Sequence, residues 1–263
     1  ECALKFINRV YAKVGPQKHF YKGNCTNELF VSRTLPNFSS LVVQYRVLKD
    51  GEQTVKSMYW SKLLECITVA LPQYVTVDIW PNYEGCPPRT FNMWPGFKAK
   101  LLKAGLEEIQ QDTRLVTMQD FYKKIICSDD PSSYKYLMSI LCSKFKNPGK
   151  KIEGIMFMSS GQGNGKNTCW EFLGDHILGK HLFVMRQGTE LLTEQFNEHL
   201  EGKLIIVADE LGASKDTFLP LWEKIKVLAT SKTLSIRKLY AARYEVSNFT
   251  FPVVLSNNEM AVF

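Results

Sequence analysis

Three short stretches carry side chains with chemistry to offer. The first is a run of small and polar residues: Ser159, Ser160, Gly161, Gln162, Gly163, Asn164, Gly165, Lys166, Asn167 and Thr168. Its glycines free the backbone to turn N–H groups inward around an anion, and a helix starting near Asn167 adds the positive end of its dipole. Against the phosphate-loop pattern Gly-x-x-x-x-Gly-Lys-Ser/Thr, Gly165 and Lys166 are in place. Ser160 stands for the first glycine and Asn167 for the hydroxyl residue. Lys166 is expected to reach the β- and γ-phosphates of a nucleotide such as ATP, with Ser160 through Thr168 enclosing them. A Mg2+ accompanying that nucleotide takes its oxygen from Thr168 by a local shift, or from the Asn167 amide instead.

The second stretch is Asp209-Glu210, directly after the apolar run 204–208. A buried strand that delivers two carboxylates at its C-terminal end is where open α/β sheets bind ligands. Asp209 suits Mg2+, usually through water, and Glu210 suits proton transfer from an attacking water. The third stretch is Ser256-Asn257-Asn258, at the end of the apolar run 251–255. An amide there can hydrogen-bond both a lytic water and a γ-phosphate. A strand-ending turn is the purely structural reading of the same residues.

The elements that must position these residues can be read from hydrophobic periodicity. Residues 1–114 mix β-rich runs (40–48, 74–80) with helical stretches (61–69, 99–109), an α+β accessory domain. Residues 115–150 read as a helical collar. Thr117 with Asp120 resembles a capping box, followed by Met118, Phe121, Tyr122, Ile125 and Ile126 on one face. Asp130-Pro131 starts a second helix with Tyr134, Leu137, Met138, Leu141 and Phe145 inward. Residues 151–263 alternate strands (155–158, 181–185, 204–208, 251–255) with helices (167–178, 191–200, 217–229). They add a hairpin of 233–237 with 244–246, so the expected class is α/β with a mainly parallel sheet.

Composition narrows the field further. Of 263 residues, 45% are hydrophobic and 22% charged, with 33 Lys+Arg against 26 Asp+Glu for a net charge of +7. That excludes a disordered or collagenous chain and is compatible with a polyanionic partner. No run approaches the roughly 18 apolar residues of a membrane span. The seven cysteines form no Cys-x-x-Cys pair, and no signal-peptide pattern opens the chain. The expected setting is therefore intracellular and reducing, not secreted. Because the chain starts at Glu1, it reads as a piece of a longer protein.

The loop, the acidic pair and the Asn257 strand, in that order, resemble the superfamily 3 helicases of viruses and plasmids. Gln162-Gly163-Asn164-Gly165-Lys166-Asn167-Thr168 is similar to the Gln-Gly-x-Gly-Lys-Asn-Thr variant of the poxvirus-type primase-helicase branch. Phe196-Asn197-x-His199-Leu200, residues 147–151 and the aromatic segment Phe91 to Phe97 are similar as well. The resemblance implies that Asn257, with Asn258 as the register alternative, senses the γ-phosphate, and that residues 151–263 form an incomplete P-loop AAA+ ATPase domain that hydrolyses ATP with Mg2+. It implies a homo-hexameric ring on single-stranded DNA, with ATP between subunits, working with replication proteins in the host cytoplasm or nucleus. The arginine finger that a neighbour supplies is expected beyond Phe263.

Between helix and last strand lie Lys226, Lys232, Arg237, Lys238 and Arg243, interleaved with Tyr240 and Tyr244. Basic and aromatic residues on a hairpin suit a single strand, through phosphate pairing and base stacking. Lys238 is the foremost candidate for the phosphate contact, with Arg237, Arg243 and Lys232 behind it. A solvated hairpin is the alternative. Lys144, Lys146, Lys150 and Lys151 read as a solvated linker. Trp60, Trp80, Trp94, Phe91 and Phe97 read as packing residues, as does Cys169, and His176, His181 and His199 draw no catalytic role. Three rival functions remain: a remodelling or loading AAA+ motor, a nucleotide-gated binding module, and an RNA helicase.

Overall fold

The computed structural model describes residues 11–14, 18–21, 31–33, 42–49, 52–59, 73–81, 85–99, 105–159, 163–193, 195–210, 215–239 and 243–257. The chain divides into two compact units, Glu1–Pro95 and Gly96–Phe263.

The first unit is rich in strands: β1 (Tyr11–Val14), β2 (Lys18–Tyr21), β3 (Val31–Arg33), β4 (Val42–Lys49), β5 (Glu52–Tyr59), β6 (Gln73–Tyr74), β7 (Thr76–Asp78) and β8 (Thr90–Asn92). β3-β2-β1-β6 make one sheet, β4 and β5 an antiparallel ladder, and β7 and β8 a parallel pair. The helical expectation at 61–69 and the side chain of Trp60 lie outside the described residues. Phe91 is buried against Tyr74, Val77 and Met93. The Asn92 carboxamide ties the segment together. It accepts from the Trp80 and Trp94 N–H groups, each at 2.9 Å, and donates to the Trp80 carbonyl at 2.7 Å. The Asn-x-Trp pattern here is thus a backbone staple.

The second unit opens with α1 (Leu106–Gln111) and α2 (Thr113–Asp120), which widens into a π-helical turn over Phe121–Ile126 before α3 (Pro131–Lys146). The expected cap at Thr117 is corrected. Asp112 caps α2 by accepting from the Arg114 N–H, while Thr117 sits inside the helix with its hydroxyl on the Thr113 carbonyl. The wide turn also breaks the expected apolar face, burying Tyr122 but leaving Ile125 exposed. At α3 the cap is as expected: Asp130 accepts from the Ser132 and Ser133 N–H groups ahead of Pro131.

The remainder is α/β. In chain order come β9 (Met156–Ser159), α4 (Lys166–Phe172) with a π-helical extension Leu173–Leu178, β10 (Phe183–Gln187) and α5 (Gly188–Thr193). A short 3-10 turn (Glu198–Leu200), β11 (Ile205–Asp209), α6 (Lys215–Thr230), β12 (Thr233–Ile236), β13 (Tyr244–Ser247) and β14 (Phe251–Ser256) complete it. The single helix expected over 191–200 is instead α5 and the separate 3-10 turn. Asn197, between them, spends its backbone and side chain on β12, exchanging hydrogen bonds with Arg237 and donating to the Ser235 carbonyl.

β10, β11, β14 and β9 form a four-stranded parallel sheet in that order. Ile205 through Ala208 and all of β14 are buried, as a strand covered on both faces requires. Leu191, Leu200, Leu221, Ile225 and Leu228 cover one face of it together with Ile206, Ala208 and Val254. Gly174 matters for this packing, because a Cβ there would meet the Phe183 ring at 2.1 Å.

The N-terminal ends of these strands hold buried and half-buried lysines, which corrects the reading of Lys144 and Lys151 as part of a solvated linker. Lys144, 1% exposed, donates to the Lys150 and Phe249 carbonyls at 3.1 and 2.6 Å. Lys151 donates to Leu228 and Thr250 at 2.6 and 2.9 Å, and Lys203 to Lys180 and His181 at 2.6 and 3.2 Å. Burial pushes the Lys144 ammonium down to about 7 and those of Lys151 and Lys203 to about 8. Lys146 and Lys150 are exposed as expected.

Candidate functional site

Three loops leave the C-terminal ends of the parallel sheet side by side, because β14 lies between β9 and β11. The loop after β9 turns through Gly163 and Gly165, at φ of 84° and 73°, a region that glycine enters without strain. At Gly165, which caps α4, a Cβ would also stand 3.2 Å from the Phe121 ring. Ser160, Gly161 and Gln162 lie outside the described residues. Gly163 and Asn164 are exposed, leaving their part of the loop accessible from solvent.

Lys166 is the first residue of α4 and is 7% exposed. Its Nζ donates to Asn257 Oδ1 at 3.1 Å. Asn257 follows β14 directly and turns its Nδ2 to Glu210 Oε1. One amide therefore bridges the lysine at the head of α4 and the carboxylate after β11. Next to it, Asn167 Nδ2 donates to Asp209 Oδ2 at 2.7 Å. Thr168, one step further along α4, is exposed.

The backbone at the acidic pair is shaped for display. Glu210 sits at φ 54°, a left-handed conformation that costs a non-glycine residue about 1–3 kcal/mol. Ladder bonds hold it there: its N–H donates to the Leu255 carbonyl at 3.0 Å, and its carbonyl accepts from the Gly188 N–H at 3.2 Å. The strain turns an exposed carboxylate toward Asn257 at the point where β11 stops. Behind the site Trp170 is fully buried, its indole N–H on Met158 Sδ at 3.1 Å. Cys169 is fully buried as well, and burial pushes its thiol up to about 12, so it stays protonated and packs. His181 and His199 bond the Gly96 and Leu191 carbonyls. Among the described residues no three His, Cys, Asp or Glu converge as a metal cage, and no helix is long and apolar enough to cross a membrane.

The basic hairpin is β12 paired antiparallel with β13, Thr233 opposite Ser247 and Ile236 opposite Tyr244. Its candidate residues divide. Lys232 and Arg243 are exposed. Arg237 lies over the Phe196 ring at 5.4 Å. Lys238 forms an ion pair with Glu201 at 2.5 Å and lies 5.4 Å from the Tyr244 ring, whose hydroxyl donates to the same carboxylate at 2.8 Å. Glu201 was not evident from the sequence: a lone acid before a strand carries no signal of its partner. Tyr240 lies outside the described residues.

Residues 157–263 match the profile of a family described as a family of unknown function, DUF5906. No curated protein matches the chain. Among solved structures, the fold is similar to the apo NrS-1 C-terminal region (305–718), with a TM-score of 0.65 at 17% identity over 96% of this chain and 55% of that one. Two A-form apo structures of the same region give TM-scores of 0.59 and 0.60, also at 17% identity. They cover 95% and 96% of this chain, and 54% of each of theirs. The chain thus spans about half the length of the structures it resembles. At that identity the likeness shows a shared fold.

Proposed function

We propose that this chain binds ATP at the C-terminal ends of its parallel sheet and hydrolyses it as the AAA+ subunit of a replicative DNA helicase of superfamily 3. The observation that carries the reading is the meeting of Lys166 and Asn167 at the head of α4, Asp209 and Glu210 at the end of β11, and Asn257 after β14. In this reading α2 and α3 form the collar before the ATPase domain. The site's chemistry supports it: a glycine turn and a helix N-terminus beside a lysine accept phosphates, and two carboxylates stand across from them. Asp209, Asn167 and Thr168 offer only oxygen donors toward a cation, a set that fits Mg2+. When bound, Mg2+ supplies charge compensation on the phosphates.

Lys166 then compensates charge at the β- and γ-phosphates, a task for which its position at the head of α4 suits it. Glu210 accepts a proton from the attacking water, and Asn257 orients that water. With phosphate in the site, Lys166 and Glu210 both exchange Asn257 for the nucleotide and its water. The remaining positive charge comes from an arginine of a neighbouring subunit in a hexameric ring. Single-stranded DNA passes the β12–β13 hairpin, where Lys232 and Arg243 are accessible and Arg237 and Lys238 follow β12 into the turn. Replication proteins of the same host cell are the further partners.

ATP hydrolysis measured with and without single-stranded DNA tests this. Stimulation by DNA, and less by RNA of the same length, is expected. Hydrolysis indifferent to both would turn the reading toward a protein-remodelling motor, and no nucleotide binding at all would end it.

A further inference from the structure

A cavity of about 450 Å3 lies between α5, α6 and β12, and none of the nucleotide-site residues lines it. Its size is within the roughly 300–1,000 Å3 of small-ligand sites. Leu191, Leu192, Leu200, Leu228 and Leu234, all buried, give it an apolar floor. The wall is positive. Lys224, Arg237 and Arg243 face a single lining acid, Glu223, which is already paired with Lys226 at 2.7 Å. The Lys224 ammonium is held by the Leu192 carbonyl, and Arg237 lies over the Phe196 ring at 5.4 Å, so both cations are fixed in place. Gln195, Thr233, Ser235 and Arg243 are exposed, and among the described residues their side chains spend no hydrogen bond on the fold.

These features together suit a ligand that is apolar on its faces, polar along its edge and anionic at one end. An unstacked nucleobase with its phosphate has that make-up, and proteins hold extruded bases between apolar side chains while hydrogen-bonding their edges. No lining residue is aromatic, so the stacking plane would be a guanidinium, which packs on bases and pairs with phosphates. Position agrees with chemistry. Arg237 directly follows β12 and Arg243 directly precedes β13, so the cavity borders the turn of the basic hairpin. We propose that this cavity takes one unstacked base of the single strand, with the adjoining phosphate on Arg243. This rests on the single-stranded DNA reading above and adds a base subsite to it.

The test is fluorescence anisotropy of the full chain with a labelled oligothymidylate and with an abasic strand of the same length and charge, read as the ratio of the two affinities. Wild type should bind the oligothymidylate about fivefold or more tightly, the lower end of what one held base contributes. Ser235→Leu combined with Val227→Met narrows the cavity from strand and helix at two exposed positions, without changing a charge. In that variant the ratio should fall toward one, while affinity for the abasic strand stays at its wild-type value. Arg243→Gln should instead weaken both strands alike. Circular dichroism checks that each variant is folded, and either single substitution serves the same comparison if the pair unfolds.

A ratio that survives narrowing of the cavity would overturn the proposal. The bases would then stack elsewhere, as on Tyr244, and the cavity would be left to an acidic segment of another protein. Equal affinities in wild type would also overturn it and leave the strand held by its phosphates alone. So would an Arg243→Gln variant that binds both strands as wild type does, since no phosphate would then lie at the cavity. No binding of either strand by wild type would remove the DNA reading itself.

Discussion

The parallel sheet carries buried or half-buried lysines at both ends, and they are used in opposite ways. At the N-terminal ends Lys144, Lys151 and Lys203 give their hydrogen bonds to backbone carbonyls: Lys150 and Phe249, Leu228 and Thr250, Lys180 and His181. At the C-terminal ends Lys166 faces the side chain of Asn257, which is shared with Glu210. Carbonyls of ordered backbone cannot turn away, so lysines bound to them are fixed braces. A carboxamide can rotate and hand its lysine to another acceptor. Parallel sheets place loops rather than braces at the C-terminal ends of their strands, and that end is where ligands bind. The difference between exchangeable and fixed partners thus separates the candidate site from the scaffold.

Lys166→Ala gives the sharpest break between the two ends. It should reduce nucleotide binding below detection in a fluorescent-analogue titration, with a thermal unfolding midpoint close to wild type. A large drop in unfolding midpoint with intact binding would place Lys166 among the braces. Glu210→Gln comes next. ATP binding should persist while hydrolysis falls by about 10²–10⁴-fold, the contribution of a positioned general base. Undiminished hydrolysis in a phosphate-release assay would leave Glu210 with only its amide contact.

Much of this was legible in the sequence, and the gaps have physical causes. Strands β11 and β14 were readable because strands buried on both faces are continuous apolar runs, and the chemistry-bearing residues Asp209, Glu210 and Asn257 stand at their ends. Asp130-Pro131 was readable because capping is local. The braces were not. A lysine's fate depends on carbonyls distant in the chain, as when Lys144 meets Phe249, and four lysines within eight residues look the same whether solvated or buried. The π-helical turn at Phe121–Ile126 was hidden for a related reason, since its sequence keeps a helical apolar period while its geometry does not. Asn197 breaks the expected 191–200 helix through hydrogen bonds to a hairpin some forty residues on, which no local pattern encodes.

The hairpin extends the comparison to lysines with carboxylate partners. Lys238 pairs with Glu201, an arrangement a DNA phosphate can replace. Lys238→Ala should spare ATP binding and weaken single-stranded DNA binding severalfold. The slope of log affinity against log salt should become shallower by about 0.7, the value of one phosphate contact on a single strand. An unchanged slope would show that Lys238 is a brace in the manner of Lys144, leaving the DNA contact to the exposed Lys232 and Arg243.

Lys144→Met tests the braces themselves and should have the smallest effect on the candidate site. Burial holds the Lys144 ammonium down to about 7 in the folded chain, against about 10.4 when unfolded. Between those values the unfolded chain binds more protons, so this lysine makes stability rise with pH across that window. Below about pH 7 both states are charged and the cost of burying the cation is felt in full. Methionine avoids that cost but leaves the Lys150 and Phe249 carbonyls without this donor, a loss of about 1–3 kcal/mol. The variant should therefore be less stable than wild type in denaturant at about pH 9, and closer to it at about pH 6. Lys151 and Lys203, held down to about 8, retain a weaker dependence of the same sign in the variant. Nucleotide affinity should not change, because Lys144 reaches the residues before β14 and Asn257 lies after it. A gap that narrows toward high pH would mean the fold depends on the ammonium form, and that both ends of the sheet use their lysines as charges.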